Sequence, residues 1–234
     1  MNLALSLARE KRRVGLLDAD LFGPSIPRMM NLLGESSRPI LTAEKRIKPV
    51  LAYGIECMSM GLVQPREERS IVWRGLMVQK AIEQLLFQVQ WGDLDYLVVD
   101  LPPGTGDTQL TLCQKASVDG VVLVSTPQEV AISDTRKAAD MFKLLHVPIL
   151  GIVENLSSFI CPNCKENCSI FTPSESKSAL NTFAESLEVP IITQIPIDPL
   201  VCSGSDGGRP VVLSHPDHLI SRKFSEIAHY ISKK

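Results

Sequence analysis

The sequence predicts an α/β fold in which a parallel, doubly wound sheet carries helices on both faces. Three observations predict it. Short apolar runs alternate with stretches of helical spacing along the chain, the order that strand–helix–strand units produce. Several runs lack polar alternation, as strands covered on both faces should. Two runs end in aspartates, Asp18 and Asp100, and open α/β sheets bind ligands at the carboxyl ends of their strands.

Taken in order, residues 1–10 have helical spacing, with Leu3 and Leu7 on one side and Ala4 and Ala8 beside them. The run 14–17 is the first strand and leads into Asp18-Ala19-Asp20. Further strands are expected at 55–60, 94–99, 120–125, 149–153 and 191–195, and helices at 25–33, 75–89, 108–115, 129–145, 175–187 and 218–232. The polar stretch 36–48 and the cysteine-containing stretch 157–178 read as surface insertions. No repeat or linker divides the 234 residues, so 1–234 is expected to form one domain. A strand and a glycine-rich phosphate loop normally precede a helix such as 1–10 in this pattern, and neither stands in this sequence.

Lys and Arg number 24 against 26 Asp and Glu, a formal net charge of -2, so electrostatics give no reason to expect nucleic acid or an anionic membrane as partner. No apolar run approaches the length of a membrane span. Residues 1–13 end basic but lead straight into a strand, so cleaving them as a presequence would remove a packed helix. The six cysteines, at 57, 113, 161, 164, 168 and 202, are too sparse for a disulfide framework and favour a reducing compartment. Cys57 and Cys113 lie in apolar surroundings and read as core, as do Met29, Met30, Met58, Met60 and Met77; His215 and His218 read as surface and capping residues of the last helix.

Three constellations carry chemistry. In "LDYLVVDLPPGTGD", residues 94–107, a buried strand delivers Asp100 to the sheet edge, where a carboxylate suits Mg²⁺ beside a phosphate chain. Gly104, Thr105 and Gly106 after two prolines form a segment able to present N–H groups to a phosphate; the plainer alternative is a strand-to-helix turn with Asp107 as N-cap. In Asp18-Ala19-Asp20, two carboxylates face one side of an extended chain and repel unless a cation or hydrogen-bond donors intervene. In "FICPNCKENCSIF", residues 159–171, Cys161 and Cys164 have C-x-x-C spacing, which aims two thiolates at one soft metal. Two ligands complete neither a tetrahedral zinc site nor a four-iron cluster. Either Cys168 and another residue join, or two chains each give a pair across a twofold axis; a redox pair and an inert turn are the alternatives.

The strings "GLLDADLFGPS", "YGIECMSMG", "IVWRGLM", "DYLVVDLPPGTGD", "VSTPQEVA" and "CPNC", in this order, make the chain resemble the Mrp-type ATP-binding proteins of the deviant P-loop class. The resemblance is closest to the mitochondrial nucleotide-binding protein-like (NUBPL) branch. It implies a P-loop NTPase sheet of the SIMIBI, MinD-like type, here missing its first strand and phosphate loop. It also implies a 4Fe-4S cluster carrier serving apo iron–sulfur proteins such as complex I subunits, in the mitochondrial matrix or otherwise the cytoplasm, with ATP and Mg²⁺ as cofactors of the complete protein.

By that resemblance Asp20 orients the attacking water, with Asp18 beside it near the magnesium. Asp100 holds the metal through water, Gly104 to Gly106 sense the γ-phosphate, and Asn155 and Asp198 contact adenine. Cys161 and Cys164 match the pair that bridges a cluster between two subunits of a homodimer. Two departures are visible. Without the loop's N–H groups and lysine, this sequence is expected to bind ATP poorly and not to hydrolyse it. The strand that the family places mid-sheet is likewise absent, so its apolar neighbours are expected to be uncovered and prone to association. After the cysteines, "IFTPSESKSA" replaces the family's glycine-rich turn, and Cys168 is an extra thiol. A cluster carrier is the leading function; a ParA/MinD-type positioning ATPase and a catalytically dead adaptor are the alternatives.

Overall fold

The computed structural model describes residues 1–63, 75–161, 163–171 and 179–234. Trp73 and Arg74, Pro162, and the 175–178 start of an expected helix lie outside the described residues. The elements are α1 (Asn2–Arg9), β1 (Val14–Asp18), α2 (Ile26–Met29), a single 3-10 turn (Glu35–Ser37), β2 (Ile40–Leu41), β3 (Ile47–Lys48), β4 (Val50–Ala52), β5 (Ile55–Ser59) and α3 (Met60–Val63). There follow α4 (Gly75–Glu83), widening into a π-turn (Gln84–Gln88), then β6 (Tyr96–Asp100), α5 (Asp107–Lys115), β7 (Val121–Ser125), α6 (Glu129–Leu144), β8 (Ile149–Ile160) and β9 (Asn167–Cys168). The chain closes with α7 (Ala179–Leu187), β10 (Ile191–Ile197), α8 (Pro199–Asp206), α9 (Val211–Ser214) and α10 (Leu219–Ile231).

Strands pair in the order β4-β5-β1-β6 in one half-sheet and β10-β8-β7 in another. All neighbours are parallel except β4 on β5, while β9 folds back antiparallel on β8. The gap expected mid-sheet falls between β6 and β7, which do not pair. The halves nevertheless share a core. Leu16, Ile55 and Cys57 join Val153 and Ile195 in one cluster, with Val98 of β6 and Val122 of β7 packed against it. Leu101 packs against the clusters on both sides. Burial follows pairing: β1, paired on both edges, is buried at every residue, whereas β6 is half-buried to exposed throughout and Val124 of β7 is 60% exposed.

Several boundaries differ from expectation, each for a local reason. The helix expected at 25–33 stops after Met29, because Asn31 takes a left-handed φ of 55° and the Leu32 N–H closes on the Pro27 carbonyl at 2.7 Å, a C-terminal motif that glycine or asparagine supports. The strand expected at 149–153 runs on to Ile160. Leu156 at φ 53° and a register shift between Ile195 and Ile197 form the irregularity that carries it past the sheet edge. The stretch 36–48 holds the small β2–β3 hairpin. Met30 and Met58 are core, but Met77 is 47% exposed. Cys57 is fully buried, with its thiol pushed up to about 12 by burial, while Cys113 is only half-buried.

Candidate functional site

The carboxyl edge of the first half-sheet is built around Asp18. Parallel register sets it opposite Ser59 of β5 on one side and Asp100 of β6 on the other. Its carboxylate is 2% exposed and accepts hydrogen bonds from the Ile26 N–H at 3.2 Å, the Ser59 hydroxyl at 3.0 Å and the Asp20 N–H at 3.2 Å. Burial raises its pKa to about 6; the three donors pull the other way, and the neighbouring Asp100 charge adds to the rise. Asp20 turns from it, accepting from the N–H groups of Phe22 at 3.1 Å and Gly23 at 3.0 Å. Donors therefore separate the two carboxylates. Asp100 is exposed, and its carbonyl accepts from the Ala19 N–H at 2.9 Å, tying the two strand ends together.

Gly104, Thr105 and Gly106 are exposed beside this edge, and Gly104 takes a φ of 90° with no atom within 4 Å of the position a Cβ would occupy. Their conformation is held by Gln109, which the sequence reading missed. Its Nε2 donates to the carbonyls of Pro102 at 2.7 Å and Gly104 at 3.0 Å, and its Oε1 accepts from the Gly106 N–H at 3.1 Å. Gly106 is the N-cap of α5 and Asp107 its first residue, which corrects the expectation that Asp107 caps the helix. The signal was present: glutamine three residues after the cap is the capping-box position. Asp18, Asp20 and Asp100 thus stand at the carboxyl edge of the first half-sheet, with the 104–106 loop following β6, and among the described residues no three acidic, histidine or cysteine side chains converge as a metal site.

Asn155 and Asp198 belong to the second half-sheet. Asn155 is half-buried inside β8, opposite Ile195, because the strand expected at 149–153 runs on past it. Asp198 caps α8, with Oδ1 accepting from the Leu200 N–H at 2.8 Å, and its Oδ2 lies 3.6 Å from His218 Nε2. His218 in turn caps α10 by accepting from the Ile220 N–H at 3.4 Å, the capping role read from the sequence. No sequence spacing links residues 198 and 218; only the packing of the two helix starts does.

Cys161 and Cys164 lie between β8 and β9, within the stretch read from the sequence as a surface insertion. The Cys161 N–H donates to the Glu166 carbonyl and the Lys165 N–H returns to the Cys161 carbonyl, both at 2.9 Å. Within this turn the Cys161 sulfur accepts from the N–H groups of Cys164 and Asn163 and from the Cys164 thiol, with Lys165 nearby, and its pKa is lowered. The turn therefore favours a thiolate. Cys164 is exposed, its Sγ 3.8 Å from Glu166 Oε2. No group of three metal-ligating side chains converges among the described residues.

A family model described as "ParA: NUBPL iron-transfer P-loop NTPase" matches residues 1–232. An iron-sulfur cluster carrier protein of Aquifex aeolicus is 45% identical over 99% of this chain and 62% of its own length. The mouse iron-sulfur cluster transfer protein NUBPL is 45% identical over 100% of this chain and 72% of its own. An Arabidopsis thaliana protein named as an iron-sulfur protein required for NADH dehydrogenase, mitochondrial, is 42% identical over 100% and 72%. The chain thus spans about three fifths of the length of the Aquifex relative. Among solved structures, a nucleotide-binding protein of Archaeoglobus fulgidus in complex with ADP superposes with a TM-score of 0.76 at 36% identity, covering 95% of this chain and 84% of the other. The cell division ATPase MinD of Pyrococcus furiosus, at 0.69 and 20% identity over 99% and 90%, shares the fold.

Proposed function

This chain belongs to the NUBPL iron-transfer P-loop NTPases of the ParA class, and from that premise we propose that it carries a 4Fe-4S cluster as cargo and hands it to apo iron–sulfur proteins, complex I subunits among them. The turn between β8 and β9 carries the reading. A thiolate-favouring Cys161 and an exposed Cys164 give a soft-metal cargo two ligands at one accessible place. A four-iron cluster takes four thiolates, so a second copy of the chain across a twofold axis supplies the other two. A cargo held there is open to exchange with an acceptor's own thiols.

The rim of the first half-sheet is the nucleotide side of the same reading. Where the family's phosphate loop completes the site, ATP with Mg²⁺ would be held there: Asp100 would hold the metal through water with Asp18 beside it, Asp20 would orient the attacking water and Gly104 to Gly106 would face the γ-phosphate. Asn155 and Asp198 contact adenine, the latter steadied by His218. The name of the Arabidopsis relative supports a mitochondrial setting.

Anaerobic reconstitution with iron and sulfide tests the cargo. The expected result is about four irons per two chains with visible cluster absorption, both lost in Cys161→Ala/Cys164→Ala. A folded chain that takes up no iron, or a double variant that keeps the full complement, overturns the proposal.

A further inference from the structure

The chain has a formal net charge of -2, yet its charge is unevenly spread. Residues 9–13 and 229–234 hold six Lys and Arg side chains against one acid, Glu10. The fold brings the two segments together: the Ser232 hydroxyl donates to Glu10 Oε2 at 3.0 Å, and His229 Nδ1 stands 4.0 Å from Glu10 Oε1. Arg13 is taken up by Asp93 and Asp95, with the Arg12 charge also acting on Asp95, and Arg9 donates to the Val212 carbonyl at 3.2 Å. Lys11, Arg12, Lys233 and Lys234 are exposed. Lys234 lies over the Tyr230 ring, and none of the four forms an ion pair among the described residues.

Local compensation does not absorb this charge. The helices α1 and α10 both end here, and each helix end counts for about half a negative charge. With Glu10, Asp93 and Asp95 included, the six cations still leave a surplus of roughly two positive charges. The end stands opposite the candidate sites. Arg13 leads into β1, whose far end is Asp18. Tyr230 donates to the Leu150 carbonyl at 3.0 Å, at the start of β8, and that strand carries the chain roughly 30 Å further before Cys161. The chemistry of the surface selects its partner. Lipid surfaces are held by basic groups together with inserted apolar side chains, and these two segments expose no large apolar side chain. Carboxylates suit it better, since Arg12 can meet one through a two-bond fork and the lysines through single charges.

We infer that this end is a docking surface for an acidic protein segment, a run of Asp and Glu side chains met by Lys11, Arg12, Lys233 and Lys234. A partner seated here leaves the carboxyl edge and the cysteines free. The inference goes beyond the cargo reading and does not rest on it, since no residue proposed for cargo or nucleotide belongs to this end. Exposed charges of this kind act on encounter and orientation, and their attraction fades with salt.

Fluorescence anisotropy of a labelled deca-glutamate peptide, titrated with the 234-residue chain, tests it. The peptide is expected to bind at about 50 mM salt and to bind several-fold more weakly at about 200 mM. Lys11→Gln/Arg12→Gln/Lys233→Gln/Lys234→Gln is expected to weaken binding at least about tenfold. Arg28→Gln/Arg38→Gln/Lys45→Gln/Lys48→Gln removes the same charge from exposed positions elsewhere and is expected to stay within about twofold of the unaltered chain. Circular dichroism checks that both variants fold. Should the first not fold, Lys11→Gln/Arg12→Gln and Lys233→Gln/Lys234→Gln are measured separately, each expected to lose about threefold. The inference is overturned if the unaltered chain leaves the peptide unbound, or if the first variant binds as the unaltered chain does. It is overturned too if both fourfold variants weaken binding alike, which would show net charge alone at work. Capture of the chain by phosphatidylserine vesicles through these four cations, with the peptide left unbound, would assign the surface to a membrane instead.

Discussion

Asp18 shows how one residue is set by its surroundings. Its folded pKa of about 6 lies above the ordinary 3.8, with burial the first cause. Between those values the folded chain keeps a proton that the unfolded chain has lost, so this group's contribution to stability falls as pH rises from about 4 to about 6 and is level above. The difference corresponds to about 3 kcal/mol. Asp18→Asn removes the charge but keeps an acceptor for part of the Ile26, Ser59 and Asp20 donor set. It is expected to raise stability at pH 7 by about 1–2 kcal/mol and to leave it equal or lower at pH 4, read from denaturant midpoints at both pH values. Equal effects at the two would show that burial of the charge is not what shifts the group. The sequence singled out Asp18, Asp20, Asp100, Cys161 and Cys164 as candidates, because each follows an apolar run or has ligand spacing. It concealed their donors, since Ser59 lies 41 residues from Asp18 and reaches it only through parallel register.

At the scale of elements, the strand β6, the loop after it and helix α5 act as one unit through Gln109. This side chain is 2% exposed and makes three bonds to the 102–106 backbone. Gln109→Ala leaves two carbonyls and an N–H without their partner, an expected loss of about 1–3 kcal/mol. Hydrogen exchange at the amides of Thr105 and Gly106 should quicken beyond what the global loss accounts for. Gln109→Glu keeps the acceptor for Gly106 but sets a carboxylate against two carbonyls, and should loosen the loop at least as much. Unchanged exchange in both would mean that the prolines alone shape the segment. Helices and strands of strong periodicity fell where the sequence put them; α2 and β8 did not. Their ends are decided by Asn31 and Leu156 in left-handed conformations, which apolar spacing does not encode.

At the scale of the molecule, the alternation of runs made the parallel sheet legible, whereas the order of its strands was not, because each crossover joins strands whose neighbours come from distant parts of the chain. The consequential feature is the break between β6 and β7. Both edges present unpaired backbone groups, and Val124 and Leu97 stand 60% and 36% exposed beside them. Unpaired apolar edges template pairing with other chains, so this chain is expected to self-associate as concentration rises. A lysine at the edge opposes such pairing and costs little where the residue is already exposed. Val124→Lys should therefore lower association in sedimentation velocity while shifting the unfolding midpoint by no more than about 0.5 kcal/mol in equivalent stability. This association needs no metal, so it should persist in Cys161→Ala/Cys164→Ala, whereas assembly through the cysteine-bearing turn should vanish there and survive Val124→Lys. If Val124→Lys associates as the unaltered chain does, the open edge is not the adhesive surface, and the shared core beneath the two half-sheets closes the gap more completely than their pairing shows.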